Sequence, residues 1–145
     1  MIRVRRRTTA TPDEVFDVLD DGWLYAGWVV GASRMRAVDA VWPGVGAELH
    51  HSVGTWPLLL DDTTSCVLHQ RPHRMALQAR GWPAGEARVE VTVEPDGGGS
   101  VVTMTEDASH GPGKLVPGPL RQLAIGPRNR ESLRRLVLLA EGRRP

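Results

Sequence analysis

Between Ser33 and Ser109 apolar and polar residues alternate in short runs, each stopped by Pro or Gly; after Pro117 the pattern lengthens to a helical repeat. The clearest alternation is Glu86 to Glu94. Ala87, Val89, Val91 and Val93 lie on one side, and Glu86, Arg88, Glu90 and Glu94 on the other. That period of two predicts a strand with one face buried and one wet. The same reading predicts strands over Ser33–Val41, Ala47–Thr55, Leu59–Gln70, Arg74–Arg80 and Ser100–Ser109, with a further one at Ile2–Thr8. Pro95 to Gly99 predicts a hairpin turn.

Two helical regions frame these strands. Thr11-Pro12-Asp13-Glu14 has the composition of a helix start: a capping Thr, a proline suited to the first turn, and a Glu three residues on to complete a capping box. Val15, Phe16, Val18 and Leu19 supply its buried side. Trp23 to Val30 follows as a second short helix or an ordered loop. The last third, Pro117 to Glu141, is the long helix. Leu133, Leu136, Val137 and Ala140 follow the i, i+3, i+4, i+7 stripe, which extends backward through Asn129, Gly126 and Leu123. Pro119 suits its first turn and Gly142 its end. Gly126-Pro127 interrupts it, because an internal proline loses a hydrogen bond and costs about 3 kcal/mol. The expectation is a kink near Ile125, or a short helix followed by a longer one from Pro127. Strands segregated from helices and joined by tight turns predict an α+β fold with an antiparallel sheet.

Composition narrows the function classes. At 145 residues the chain is expected to form one domain over residues 1–145. A formal net charge of +1 gives no electrostatic case for nucleic acid or membrane-surface binding. The single cysteine, Cys66, excludes an internal disulfide and fits a reducing, cytoplasmic setting. No apolar run approaches the roughly 18 residues of a membrane span. The run Arg5-Arg6-Arg7 is not followed by the apolar stretch of a secretion signal. Arg3, Arg5 and Arg7 read as a solvated strand face. Five tryptophans stand against one Phe and one Tyr, and tryptophan suits both cores and ligand pockets.

The order β-α-α-β-β-β-β-β-β-α resembles the helix-grip fold of the SRPBCC (START-like) superfamily, over the whole chain. The segments that carry the resemblance are Thr11-Pro12-Asp13-Glu14-Val15-Phe16, Gly81 to Ala87, Val102-Thr103-Met104-Thr105-Glu106 and Arg128-Asn129-Arg130-Glu131-Ser132-Leu133. They look most like the small bacterial members labelled polyketide cyclase/dehydrase-like. The resemblance implies a curved sheet of about seven strands wrapped around the C-terminal helix, with a deep, mainly apolar cavity beneath that helix. It brings no catalytic set.

The candidate residues follow from which face they share. Glu106 lies with Val102 and Met104. If that face points inward, desolvation raises its pKa toward that of a general base or hydrogen-bond donor. The alternatives are that Val101 and Thr103 face inward, or that Glu106 pairs with an arginine at the sheet end. His50 and His51 point to opposite faces; His51, with Leu49 and Val53, reads as inward and as a satisfied core histidine. His110, after the last strand, lies near the expected pocket mouth. Asn129 falls on the buried stripe, where it needs partners; a strand backbone group is the expected one, and a ligand polar group the alternative. Trp28, Trp56 and Trp82 stand at loop or strand ends, placed to rim a cavity or to fill core. No HxxxH, HExxH or CxxC occurs, so no metal site is expected, and no cofactor is implied. Ser52, Ser65 and Ser109 have no matched His and acid for a hydrolase triad.

Three functions stay open. The first is a pocket that binds a small hydrophobic, lipid-like or polyketide-like molecule. The second is an aromatase/cyclase- or dehydratase-type enzyme with Glu106 as acid/base, helped by His51 or His110. The third is a closed-pocket protein that acts by pairing with another protein. Oligomeric state, a homodimer included, is left open.

Overall fold

The computed structural model describes residues 1–54, 57, 59–81, 85–110, 115 and 117–142. The chain opens with β1 (Ile2–Thr8) and α1 (Pro12–Leu19). A 3-10 turn (Gly22–Leu24) and the one-turn helix α2 (Tyr25–Trp28) follow. Six strands come next: β2 (Ala32–Val38), β3 (Glu48–Val53), β4 (Leu60–Gln70), β5 (Arg74–Gly81), β6 (Gly85–Asp96) and β7 (Gly99–His110). The chain then turns into α3 (Gly118–Glu141). The seven strands form one antiparallel sheet in the order β1-β7-β6-β5-β4-β3-β2.

The capping box at α1 forms as the sequence requires. Thr11 Oγ1 accepts from the Glu14 amide at 3.2 Å, and Glu14 Oε1 accepts from the Thr11 amide at 2.9 Å. Arg71, between β4 and β5, gathers Asp13, Asp17 and Asp20 of the α1 region at 3.4, 2.7 and 2.8 Å, so the helix is tied to the turn that joins these two strands. Asp17 foremost, then Asp20, hold the guanidinium pKa above its ordinary value. The β6–β7 turn is tighter than the sequence pattern indicates. Asp96 pairs with Gly99, leaving a two-residue connection whose first residue, Gly97, has φ +59°. A positive φ there is what a two-residue hairpin demands, and glycine adopts it without strain.

The α3 helix is one 24-residue element with Pro127 inside it, so of the two alternatives at Gly126-Pro127 the split into two helices does not occur. Its buried stripe runs from Gly126 and Asn129 through Ser132, Leu133, Leu136, Val137 and Ala140, but stops there: Leu123 is 75% exposed. The C-terminal part presses on β1, α1 and α2, and that contact buries the leucines. Leu123 lies beyond it.

The packed core gathers Val15, Phe16, Val18 and Leu19 of α1 against Val91, Val93 and Val102 of the sheet and Leu133, Leu136 and Val137 of α3. Each fully buried large aliphatic or aromatic side chain in it contributes about 1.5–3 kcal/mol.

Candidate functional site

Volume along the inner face of β5 and β6 tapers. The cross-strand pairs run Met75↔Val91, Leu77↔Val89, Ala79↔Ala87. The first pair is fully buried, whereas Ala79 and Ala87 are only partly so. Two methyl groups cannot fill the space that the preceding pairs fill. A cavity of about 350 Å³ opens there, with Leu77, Ala79, Ala87, Val89 and Met104 as its apolar floor. Tyr25 and Trp28 of α2 and the loop Val29–Gly31 form one wall; Arg128, Asn129 and Ser132 of α3 form another. Ser132 also accepts a hydrogen bond from the Val30 amide at 3.0 Å, tying that loop to the helix.

Two polar clusters interrupt the apolar lining. In the first, Glu106 points inward with Val102 and Met104, as the strand pattern predicts, and is 8% exposed. It is not an unpaired carboxylate. One nitrogen of Arg128 donates to both of its oxygens, at 2.8 and 2.7 Å, and Asn129 Nδ2 donates to Oε1 at 3.2 Å. The expectation of a free acid or base rested on desolvation without a counter-charge, and Arg128 supplies that charge from the helix. The same contact corrects the expectation for Asn129: its partner is a carboxylate, not strand backbone. Asn129 Oδ1 in turn accepts from Arg128 Nε at 3.4 Å.

The second cluster joins three elements. Thr64 Oγ1 of β4 meets the Tyr25 hydroxyl at 3.0 Å and His51 Nε2 at 2.9 Å. Tyr25 also packs on Trp28 and His51, with ring centroids 5.5 and 5.2 Å away. Burial pushes the Tyr25 phenol up to about 12, with the Glu106 charge acting the same way and Thr64 and Arg128 against it. Burial also lowers the His51 pKa, opposed by Asp62 and by the backbone of Ser52. Both rings are therefore uncharged at neutral pH. His51 is only half the satisfied core histidine expected, since Nδ1 is buried and makes no hydrogen bond among the described residues.

His51, Met104, Glu106, Asn129 and Trp28 thus converge on one cavity. Trp28 is 4% exposed and belongs to the inner wall, not to a rim. His50 turns to the opposite face and meets Asp39 at 2.9 Å. Trp56, Trp82 and the side chain of His110 lie outside the described residues; His110 is placed only as the strand residue opposite Glu86. Tyr25, Thr64, Arg128 and Ser132 were not singled out from sequence. Thr64 was within reach: it lies two residues before Cys66, and a period of two puts both on one face. Ser132 is the next member of the stripe that contains Asn129. Arg128 had no such signal.

A curved antiparallel sheet gripped by a C-terminal helix, with a cavity between them, defines a helix-grip protein. The chain belongs to the polyketide cyclase/dehydrase and lipid transport family, whose model matches residues 1–141. Among solved structures it is similar to a protein from Nitrosomonas europaea, at TM-score 0.74 and 14% identity over 99% of this chain and 95% of that one. It is also similar to StfQ, a di-domain ARO/CYC from the steffimycin biosynthetic pathway, at TM-score 0.74 and 12% identity over 98% of this chain and 50% of that one. A third is Ara h 8.0201, at TM-score 0.72 and 10% identity, covering 97% of each chain. At such identities the likeness is one of fold. No curated protein sequence matches the chain. No helix among the described residues is long and apolar enough to cross a membrane.

Proposed function

We propose that this protein binds one small hydrophobic or aromatic molecule in the cavity between sheet and α3. The observation that carries this reading is the cavity itself: about 350 Å³ of space with an aliphatic floor and two polar clusters on its walls. This is the make-up of a small-molecule site, at the lower end of the usual size range, and it suits a compact ring system better than a two-chain lipid. Trp28, His51, Met104, Glu106 and Asn129 are the proposed contacts, together with Tyr25, Thr64 and Arg128. Trp56, Trp82 and His110 stay in the proposal on sequence grounds alone.

Binding is favoured over acid/base catalysis because Glu106 is already held by two donors. Those donors fix both carboxylate oxygens toward α3, and a general base must be aimed at the proton it takes. A pocket not filled by its own side chains also speaks against a protein whose only role is to pair with another. Mass spectrometry of small molecules released by denaturing freshly purified protein tests the reading. A stoichiometric apolar species is expected. Its absence, repeated after incubation with lipid and polyketide-like extracts, would overturn it.

A further inference from the structure

The charged side chains that line the cavity, among the described residues, are each paired with an opposite charge. Glu106 and Arg128 face each other through two hydrogen bonds. Arg80, the other charged lining residue described, has Nε 3.5 Å from Glu86 Oε1. Asp62, the register partner of His51 on β4, is not among the lining residues; Arg36 donates to its backbone carbonyl at 3.1 Å, and its Oδ1 accepts from the Thr63 amide at 2.8 Å. Tyr25 and His51 are neutral in this burial.

The geometry points to Glu106 and Arg128 as a neutrality filter: the cavity takes an uncharged molecule with a hydrogen-bonding group on an apolar body, and rejects both the carboxylate and the ammonium forms of that body. The inference rests on the binding reading above and adds the charge class of the ligand. An anion would compete with Glu106 for Arg128, whose side chain is 43% exposed, and leave the buried Glu106 carboxylate without its counter-charge. A cation would have to displace Arg128 from Glu106, desolvating itself to do so. Uncompensated charge at such a place is strongly unfavourable. An uncharged oxygen or nitrogen group can share a hydrogen bond with either polar cluster without disturbing the pair. Strands β7 and β4, which carry Glu106 and Thr64, are separated by β6 and β5. That is about 14 Å along the sheet, with apolar floor between.

The test uses one ring system in three charge forms at neutral pH: the neutral naphthalene and acetylnaphthalene, the anion naphthoate and the cation naphthylmethylammonium. Binding is measured by calorimetric titration to the intact protein and to two variants, Glu106→Gln and Arg128→Gln. In the unmodified protein acetylnaphthalene is expected to bind tightest, by about tenfold or more over either ion. Glu106→Gln leaves Arg128 without its counter-charge, so naphthoate should gain on acetylnaphthalene by about tenfold. Arg128→Gln should move the ammonium probe the same way. The two variants shift in opposite directions, which a merely structural ion pair would not produce, and either one that folds suffices. If naphthoate or the ammonium probe binds tightest to the unmodified protein, or if a folded variant leaves the relative affinities of the probes unchanged, the filter is wrong while the binding site stands. If no probe binds any of the three proteins, the binding reading falls and the filter with it.

Discussion

The two ends of the inner sheet face are made from the same strands and the same alternation, yet one is solid and the other hollow. At the solid end Met75↔Val91 and Val93↔Val102 belong with Phe16 to one buried apolar cluster. At the hollow end the pair shrinks to Ala79↔Ala87, and Glu106, Arg128, His51, Thr64 and Tyr25 line the walls. A period of two states which side chains point inward; their volume then decides whether the space closes. Packed core and cavity therefore lie toward opposite ends of one sheet face.

The contrast is open to direct attack. The largest effect belongs to the solid end: Leu136→Ala, at a fully buried position, should lower unfolding free energy by about 2–5 kcal/mol in denaturant titration. A loss below about 1 kcal/mol would mean that α3 is not packed as described. Enlargement separates the ends next. Val102→Phe should cost about 1–3 kcal/mol through overpacking. Ala79→Leu should fold with a change under about 1 kcal/mol, because its side chain enters empty space, and should abolish binding of any apolar probe. Equal destabilisation by the two would erase the distinction.

The smallest effect is the pH response of the hollow end. The His51 pKa is lowered from 6.5 by burial. Its contribution is therefore full above that value and falls as pH drops through it, where the unfolded chain takes up a proton that the folded ring resists. Tyr25 is raised from 10.0 to about 12, so its contribution is full below the lower figure and fades as pH climbs between the two. Spectrophotometric titration reads Tyr25 alone, since the chain has one tyrosine. A midpoint near 10 in the folded protein would show that the phenol is solvated. His51→Gln should flatten part of the stability loss on the acid side.

Much of this architecture is written in local pattern. The capping box at Thr11, the inward set Val102-Met104-Glu106 and the stripe from Asn129 to Ala140 all follow from spacing within one element, because helix and strand periods decide which side chains share a face. The same logic placed His51 inside and His50 outside. At Gly126-Pro127 local reasoning left a kink and a split both open, and the helix runs through as one element. The site itself lay beyond such reasoning. Glu106 meets Arg128 across 22 residues of sequence, and Tyr25 meets Thr64 across 39. No period links such residues; strand register and the seating of α3 bring them together. Local periods fix the order of elements and the faces they bury. Packing between elements gives Glu106 its counter-charge and sets Ala79 opposite Ala87. Both are contacts between elements, set by how the elements pack and not by the period of either one.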